Sequence, residues 1–300
     1  MLLASNLASG TPPESRLRDY GRPVLDVPPG PPDFGDAAAE SLLTGERTWP
    51  EIPSENYWFA RHEACYRWAS AVLSSPAVSS SVSQHPPSMR SGGSIVLDAG
   101  SGEGYGSEYL RSTIPDTNVV AIDLDVQTMG HVRGTYPHVS ALVGNLVALP
   151  FQDESFHASI SLQVIEHIWD PLAYLRELDR CTRGPVIVST PNRPVHSPGL
   201  PPGASPVNPF HVREFDGAEL RTLLAQAVEH QPGHRSPVMY GLHHGQRLWR
   251  WEQVHGSLPE RLIELHTEAL AYATSVTHND FTIAPIDDDD ESAHDLIAVW

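Results

Sequence analysis

The chain has 300 residues, of which 40% are hydrophobic, and its 37 acidic residues outnumber 19 basic ones to give a formal net charge of -18. This length accommodates one or two domains with a full hydrophobic core. A strongly acidic chain is a poor partner for nucleic acid or for an anionic membrane surface, because binding to either requires cationic side chains. Every basic residue is an arginine, which excludes catalysis through a lysine Schiff base.

Two features of the sequence bear on where the protein works. The first ten residues lack the basic segment and the long apolar run of a secretory signal, and no stretch of the chain is apolar enough to span a bilayer. The two cysteines, Cys65 and Cys181, lie in predicted helices without metal-type spacing, which is typical of buried free thiols in a reducing compartment. We therefore expect a cytoplasmic protein.

The N-terminal part of the chain contains one clear helix between two irregular segments. Residues 1–40 are rich in proline, glycine and charge, and we predict that they are disordered or loosely packed. The apolar spacing over 58–73 predicts a helix. The serine- and proline-rich stretch at 74–93 is typical of a linker or a mobile loop. We expect the folded domain to occupy 41–300.

The most informative segment is the glycine-rich stretch that follows the first predicted strand. Residues 95–98 form an apolar run closed by an acid, which is typical of a buried parallel strand. A helix is predicted at 105–114, and the loop before it can approach a ligand closely because glycine has no Cβ. A ligand there would lie at the carboxyl end of a strand, beside a helix N-terminus. The residues assigned to this site are Asp98, Gly100, Gly102 and Gly104.

The spacing of these glycines distinguishes two classes of ligand. A dinucleotide site has the pattern Gly-x-Gly-x-x-Gly, but the third glycine position is Glu103 or Tyr105, depending on the convention. An acid in the loop also repels a pyrophosphate. The alternating glycines after Asp98 instead resemble motif I of the class I S-adenosylmethionine (SAM) methyltransferases, whose cofactor carries an ammonium and a sulfonium group. A strand–turn–helix with a flexible loop and no ligand is the third alternative.

Strands and helices alternate after the glycine loop. The apolar patterns predict strands at 119–123, 139–143, 156–162 and 185–190, and a helix that begins at Asp170-Pro171 and ends near Cys181. Further strands are predicted around 238–242 and at 296–300. This βαβ alternation predicts an α/β, Rossmann-like fold with a doubly wound, mostly parallel sheet of seven strands.

Two C-terminal segments are predicted to be additions to this sheet. Residues 191–215 are rich in proline and loop-like, and 246–277 have a helical pattern after the helix predicted at 217–228. We expect a lid or α-helical insertion around 191–215 and 243–285 that covers a substrate, with ordinary packing as the alternative. The acidic run at 287–291 is most simply a solvated loop.

Side chains after the second and third predicted strands complete the predicted cofactor site. Asp123 ends the second strand, where a carboxylate can accept hydrogen bonds from both ribose hydroxyls of a nucleoside. This property suits NAD as well as SAM. Asn145-Leu146 resembles the element of SAM methyltransferases in which a polar side chain and the next backbone amide recognise adenine. Leu124 is assigned to the same site.

The segment that follows the fourth predicted strand is expected to hold the reaction centre. An alcohol must lose its proton as it attacks a sulfonium methyl group, and histidine exchanges a proton near neutral pH, so His167 beside Glu166 suits a general base. Alternatively, Gln163, Glu166 and His167 hold a divalent cation, for which hard oxygen ligands favour Mg²⁺. A purely structural turn is the third alternative. The remaining histidine candidates for this site are His211, His243 and His244.

Several flanking motifs give a narrower resemblance. They occupy 43–48, 55–59, 61–62, 189–193, 197–199, 208–215 and 241–245. Together they resemble the actinobacterial sugar O-methyltransferases, and among these the mycobacterial sugar 1-O-methyltransferases of methylmannose polysaccharide biosynthesis. The likeness covers about 43–300. The glycine loop is specific only to the methyltransferase superfamily, whereas the flanking motifs are more specific.

The resemblance implies transfer of a methyl group from SAM to a hydroxyl, the 1-OH, of a short methylated mannoside, with Mg²⁺ and in a cytosolic homodimer. It also implies that Tyr57, Arg61 and His62 contact the amino-acid end of the cofactor or the sugar, and that Gln163 belongs to the cofactor site. The planar fork of Arg61 suits a carboxylate. The alternatives are a glucosyl or other small-molecule hydroxyl as acceptor, and an inactive SAM-binding partner subunit.

Overall fold

Strands and helices alternate through most of the chain in the computed structural model, which describes residues 48, 52, 55–75, 93–229, 236–287 and 290–300. The helices are α1 (Asn56–Leu73), α2 (Tyr105–Thr113), α3 (Val126–Thr135), α4 (Pro171–Cys181), α5 (Arg193–His196), α6 (Gly217–Val228), α7 (Gln246–His255), α8 (Leu258–Ile263) and α9 (Thr267–Ala273). The strands are β1 (Ser94–Ala99), β2 (Thr117–Asp123), β3 (Ser140–Val143), β4 (Ala158–Leu162), β5 (Val186–Pro191), β6 (Val238–His244), β7 (Phe281–Pro285) and β8 (Asp295–Val299). The predicted loose segment at 1–40, residues 43–47 of the first motif and most of the stretch at 74–93 lie outside the described residues.

The described strands form one sheet in the order β3-β2-β1-β4-β5-β8-β6-β7. Strands β1 to β5 are mutually parallel where they pair, and β8 runs antiparallel to both β5 and β6. The α/β, mostly parallel Rossmann-like fold is therefore confirmed. The predicted count of seven strands is wrong, because β7 adds an eighth strand antiparallel to β6. Its five residues lie directly after a long helical pattern, and their strand conformation is stabilised by pairing with β6 rather than by a strong local signal.

Helices cover both faces of this sheet, which explains why its central strands are continuous apolar runs. Neighbouring strand residues such as Val96 and Leu97 point to opposite faces and enter different buried clusters. One face packs against α1, α2 and the α7–α9 segment, and the other against α4 and α6. The two cysteines are buried free thiols, as predicted.

Local capping signals determine where several helices begin. Asp170 accepts a hydrogen bond from the Ala173 amide at 2.9 Å ahead of Pro171, and Asp216 and Glu219 form a reciprocal capping box at the start of α6. Helix α6 occupies the residues predicted for it. The segment predicted to be helical at 246–277 is three helices, since the chain turns at Gly256 with a φ of 87°. Within the described residues, no helix has both the length and the apolar character needed to cross a bilayer.

Candidate active site

The strand directions bring the predicted site residues to one edge of the sheet. The carboxyl ends of β1 to β6 share this edge with the start of β8, because Asp295 at the start of β8 pairs with Pro191 and Leu242 at the ends of β5 and β6. In open α/β sheets, ligands bind at this edge. The glycine loop lies over β1, and the Glu166-His167 pair follows β4.

The glycine loop requires glycine at three positions. Gly100, Gly102 and Gly104 have φ values of 78°, 51° and 80°, in the left-handed region that side chains rarely adopt. A Cβ on Gly100 would lie 2.5 Å from Val164 Cγ2, and one on Gly104 would lie 2.8 Å from Val132 Cγ2. A Cβ on Gly102 would meet nothing within 4 Å. The loop therefore packs tightly at both ends and leaves open space above its centre.

Asp123 faces this loop from the end of β2. Its Oδ2 accepts a hydrogen bond from the Gly102 amide at 3.1 Å, and its Oδ1 accepts one from the Asp125 amide at 3.1 Å. These two hydrogen bonds fix the carboxylate at the end of β2, beside the open space at Gly102. Open space at Gly102 beside a fixed carboxylate fits a nucleoside-type cofactor such as SAM.

Asp98 lies beneath the loop and is completely buried. Its carboxylate accepts hydrogen bonds from Ser107 Oγ at 2.5 Å and from the Tyr66 hydroxyl at 3.2 Å. Burial raises the pKa of this carboxyl to about 6, although both hydrogen bonds lower it. A Cβ on Gly106 would lie 2.0 Å from the Tyr66 ring, so a glycine is also needed for α1 to reach Asp98. Asp98 thus joins α1 and α2 under the loop, and its direct contact with a cofactor stays a prediction.

The other predicted cofactor residues of this region form a rim after β2 and β3. Leu124 and Asn145 are exposed, whereas Leu146 is buried. The Asn145 side chain accepts a hydrogen bond from the Val147 amide at 3.1 Å, which fixes its orientation. The exposed Leu124 provides an apolar surface, and the ordered Asn145 amide provides polar groups, for the adenine base of a cofactor. That these residues recognise adenine stays a prediction.

Arg61 on α1 is buried and already has a carboxylate partner within the chain. Its Nε donates to Asp295 Oδ2 at 2.7 Å, and its Nη2 contacts the other carboxylate oxygen. The same Nη2 donates to Gln163 Oε1 at 3.2 Å. The predicted contact of Arg61 with a cofactor carboxylate stays a prediction, but Asp295 neutralises the charge on which that prediction was based.

Tyr57 and His62, the other α1 candidates, lie on either side of Arg61. The Tyr57 hydroxyl is 2.7 Å from His244 Nε2 and is buried with the C-terminal elements. His62 Nδ1 is 3.2 Å from the Tyr105 hydroxyl, and Tyr105 directly follows Gly104. His62 is therefore placed beside the glycine loop, whereas Tyr57 is held against β6.

Gln163 connects these residues to β4. It has a φ of 57°, which is a strained conformation for a residue other than glycine and one that clusters at functional sites. Its amide nitrogen Nε2 donates to Ser189 Oγ at 3.1 Å, while Oε1 faces Arg61. The strained backbone turns the chain at the carboxyl end of β4 and leads directly into the Glu166-His167 segment.

Glu166 and His167 lie in a short 3₁₀ helix and meet His211 from the loop before α6. Each of the three residues offers one possible metal-ligand atom, and these atoms all lie within 4.8 Å of one another. Among the described residues, this is the cluster that could hold a metal ion. The Glu166 carboxylate is buried and accepts a hydrogen bond from the Thr190 hydroxyl at 3.0 Å. Burial raises the pKa of Glu166, and the neighbouring histidines oppose that shift. The structure thus brings His211 to the predicted pair, whereas His243 and His244 lie at the end of β6.

Hydrogen bonds determine which ring nitrogen carries the proton in each histidine of this cluster. His167 Nδ1 lies 3.1 Å from the Phe210 carbonyl oxygen, which only accepts, so Nδ1 is the donor and Nε2 carries the lone pair. His211 Nδ1 lies 2.6 Å from Glu214 Oε1, and the Asn208 amide donates to His211 Nε2 at 3.1 Å. Both ring nitrogens of His211 therefore have partners within the chain.

This donor set does not fit Mg²⁺. Magnesium prefers an octahedron of oxygen ligands, whereas the cluster offers one carboxylate and two imidazoles. A cation would also have to displace the Asn208 amide from His211. The cluster is better suited to proton transfer than to holding this metal.

Three residues of this edge were not identified from the sequence. Asp295, His294 and His196 come from the start of β8, the residue before it and the end of α5. A carboxylate directly before an apolar run is a signal that could have indicated Asp295, in the reverse order to Asp98, which directly follows one. His196 lies in a helix of 4 residues and His294 directly before β8, where no periodic pattern marks them.

The comparison with solved structures finds methyltransferases at low similarity. A SAM-dependent methyltransferase from Thermotoga maritima, described as a possible histamine N-methyltransferase, has 15% identity and a TM-score of 0.47, covering 81% of this chain and 91% of that one. The methyltransferase domain of bacterial CtHen1 has 17% identity and a TM-score of 0.48, covering 80% and 98%. At these values the likeness carries no conclusion about activity.

Relatives in sequence are more informative. Residues 97–186 match the family described as "Methyltransferase domain". A Mycobacterium tuberculosis H37Rv protein named a probable S-adenosylmethionine-dependent methyltransferase is 36% identical over 282 residues, which cover 90% of this chain and 93% of that protein. A Mycolicibacterium smegmatis relative with the same description is 36% identical over 268 residues, covering 86% and 93%. The similarity therefore extends well beyond the glycine loop.

Proposed function

This chain belongs to the SAM-dependent methyltransferases, and on that premise we propose that it methylates a hydroxyl of a small sugar, with the 1-OH of a short methylated mannoside as the preferred acceptor. Family membership rests on 36% identity across 90% of the chain. SAM is the methyl donor, and it supplies an electrophilic methyl group on a sulfonium. The methyltransferase prediction is confirmed at this level, while the acceptor, the polysaccharide pathway and the cytoplasmic location are part of the proposal.

The observation that carries the proposed chemistry is the orientation of His167. Its Nδ1–H is held by the Phe210 carbonyl at 3.1 Å, so in the neutral ring Nε2 is the nitrogen that can take a proton. In the proposed reaction, Nε2 takes the proton of the acceptor hydroxyl as that oxygen attacks the methyl group in line. General bases of this kind contribute about 10²–10⁴-fold to rates.

Glu166 supports this base electrostatically. Its buried carboxylate is fixed by the Thr190 hydroxyl, and its backbone carbonyl accepts a hydrogen bond from the Val212 amide at 2.8 Å. His167 opposes the rise in the pKa of the buried Glu166 carboxyl, so the two side chains interact electrostatically. The ring orientation of the base is thus determined by residues of this chain.

The choice of a sugar acceptor is supported by where the flanking motifs lie. The motif at 208–215 supplies the Phe210 carbonyl and His211, and the motif at 189–193 supplies the Thr190 hydroxyl. Two motifs that carry the resemblance to sugar O-methyltransferases therefore surround the proposed base. The acidic net charge of -18 also favours a neutral acceptor over an anionic one.

Mg²⁺ is left out of the proposed reaction. The resemblance implies it, but the ligands of the Glu166 cluster do not suit it, and His167 alone can remove the hydroxyl proton. Full activity after dialysis against EDTA is the expected result. A loss of activity that added Mg²⁺ restores would contradict the metal-free proposal. The homodimer implied by the resemblance is retained as a proposal, which the molar mass in solution tests.

The proposed function is tested with labelled SAM and a panel of methylated mannosides, glucosides and unrelated small alcohols. We expect a mannoside to be the best acceptor. His167→Ala should lower kcat by about 10²–10⁴-fold without weakening the binding of S-adenosylhomocysteine. His266→Ala is the matched control, because His266 is an exposed histidine paired with Glu264. If His167→Ala keeps its turnover within a few fold, the base assignment is wrong, and if no hydroxyl compound is methylated, the proposed function is wrong.

A further inference from the structure

A second histidine cluster lies at the same edge of the sheet, beyond the Glu166-His167 site. His196 ends α5, His244 ends β6, and His294 directly precedes β8. Backbone hydrogen bonds connect these elements, since the Asn192 amide donates to the His294 carbonyl at 3.0 Å and the His294 amide donates to the Leu242 carbonyl at 2.7 Å. These three residues, called the edge histidines below, are therefore held in a defined arrangement.

His244 forms the base of this arrangement. Its Nε2 faces the Tyr57 hydroxyl at 2.7 Å, and its Nδ1 faces Glu252 Oε2 at 2.8 Å, so both ring nitrogens have partners. The His294 ring stacks on it with centroids 3.7 Å apart and planes inclined by 21°. Because both ring nitrogens of His244 are hydrogen-bonded, His244 has a fixed position, and the His294 ring packs against it.

His294 has a hydrogen-bonding atom without a partner. Its Nδ1 is buried and makes no hydrogen bond to the described residues. Buried polar atoms in proteins are almost always paired, by protein, water or ligand. His196 lies against it, with its Nε2 at 3.0 Å from the His294 carbonyl oxygen. Both rings are only partly buried, which leaves them accessible from the site edge.

His196 and His294 are neutral imidazoles near neutral pH. Burial lowers the pKa of His294 to about 2, helped by His244 and Arg61, and burial also lowers the pKa of His196 well below its ordinary value. The charge of Arg61 is neutralised by Asp295. His243, the next titratable group, has its Nε2 3.8 Å from Asp290 Oδ2. An anionic ligand would find no uncompensated cation here, whereas neutral hydroxyls match neutral imidazoles that both donate and accept.

His196 is connected to the proposed reaction centre through Arg61 and Gln163. Arg61 Nη2 lies 3.3 Å from His196 Nε2 and 3.2 Å from Gln163 Oε1. Gln163 in turn begins the segment that carries Glu166 and His167. A ligand that reaches from His167 to the edge histidines would lie along this same edge, towards β8.

We propose that His196 and His294 form a subsite that binds a neutral, hydroxyl-rich part of the acceptor away from the hydroxyl that is methylated. This proposal rests on the proposed function, because it assigns the acceptor class to the same site. His244 holds the subsite in place from below and does not contact the acceptor. The two imidazoles determine acceptor affinity rather than the rate of methyl transfer.

The test uses His294→Phe, which keeps a ring to stack on His244 and removes both nitrogens. With the best neutral glycoside of the panel, we expect the acceptor KM to rise about tenfold, as for the loss of one or two hydrogen bonds. The kcat should stay within about twofold and the affinity for S-adenosylhomocysteine should be unchanged, since only ground-state binding of the acceptor is removed. The matched control is His255→Phe, which replaces a histidine stacked on Trp251 at 4.6 Å in α7.

His196→Asn provides a second variant that does not depend on how His294→Phe folds. It retains an amide that can donate to the His294 carbonyl, and it should raise the same KM several fold. Unchanged KM values in both variants would overturn the subsite, and so would a parallel loss of S-adenosylhomocysteine affinity, which indicates a structural role. A wild-type protein that binds S-adenosylhomocysteine but methylates no glycoside overturns the proposed function instead, and the subsite with it.

Discussion

The two halves of the candidate site at the sheet edge are built in different ways. Over β1, β2 and β3, the site consists of backbone amides, glycines and Asp123, all within 50 residues of one another. Over β4, β5, β6 and β8, it consists of side chains that lie as far apart in sequence as Tyr57 and Asp295. The first half depends on local backbone geometry, and the second depends on long-range packing.

This difference has an energetic side. In the β1–β3 half, the cost is the conformational entropy of the glycines, which adopt positive φ values without strain, whereas a residue with a side chain would be strained there. In the β4–β8 half, the cost is the burial of polar groups, which is offset by partners such as Asp295 for Arg61. Substitutions in the β1–β3 half should therefore lower stability by straining the backbone. Substitutions in the β4–β8 half should lower it by leaving buried polar groups without partners.

The largest effect is expected for Asp295→Asn, in the β4–β8 half. It leaves the Arg61 guanidinium buried without a compensating charge, so the free energy of unfolding should fall by about 3–5 kcal/mol. Urea denaturation followed by circular dichroism measures this change.

The control for this substitution is Asp153→Asn. Asp153 is one of the carboxylate partners of Arg180, and its side chain is 76% exposed. Exposed pairs contribute about 0–1 kcal/mol, so this variant should be nearly as stable as the wild type. Equal losses in the two variants would show that Asp295 contributes no more than a surface charge.

The next effect is expected for Gly100→Ala, in the β1–β3 half. The new Cβ would lie 2.5 Å from Val164 Cγ2 on a backbone with a φ of 78°, so the loop must shift. We expect a loss of about 2–4 kcal/mol in unfolding free energy and at least tenfold weaker binding of S-adenosylhomocysteine, measured by calorimetry. Gly134→Ala in α3 is the control, because its Cβ would meet nothing within 4 Å. Unaltered affinity in Gly100→Ala would show that the loop does not hold the cofactor.

The smallest effect concerns the pH dependence of stability at Asp98. Its pKa is raised by burial from 3.8 to about 6, so the folded state binds more protons than the unfolded state between these values. The stabilising contribution of Asp98 is complete below about pH 4 and is lost as the pH rises to about 6, by about 2–3 kcal/mol. Asp98→Asn lacks this titration. The difference in unfolding free energy between wild type and variant should therefore fall over this pH interval, and a constant difference would contradict the raised pKa.

Much of the β1–β3 half could be predicted from the sequence, because its signals are local. The apolar run before Asp98, the alternating glycines and Asp123 are each recognisable from a few neighbouring residues. The positions of the central strands and of helix α6 followed from periodicity in the same way. Strand β7 was missed because its conformation depends on pairing with β6, and a local pattern does not contain that information.

The sequence alone determined the α/β order of elements, the glycine loop and the position of Glu166 and His167 after the fourth strand, because backbone propensity and glycine geometry act over short distances. Only the tertiary structure decided that Asp295 neutralises Arg61, that the Phe210 carbonyl orients His167, and that His294 stacks on His244. Those contacts join residues separated by 43 or more positions. They exist because the sheet brings the ends of distant strands to one edge, where burial makes each polar group require a partner.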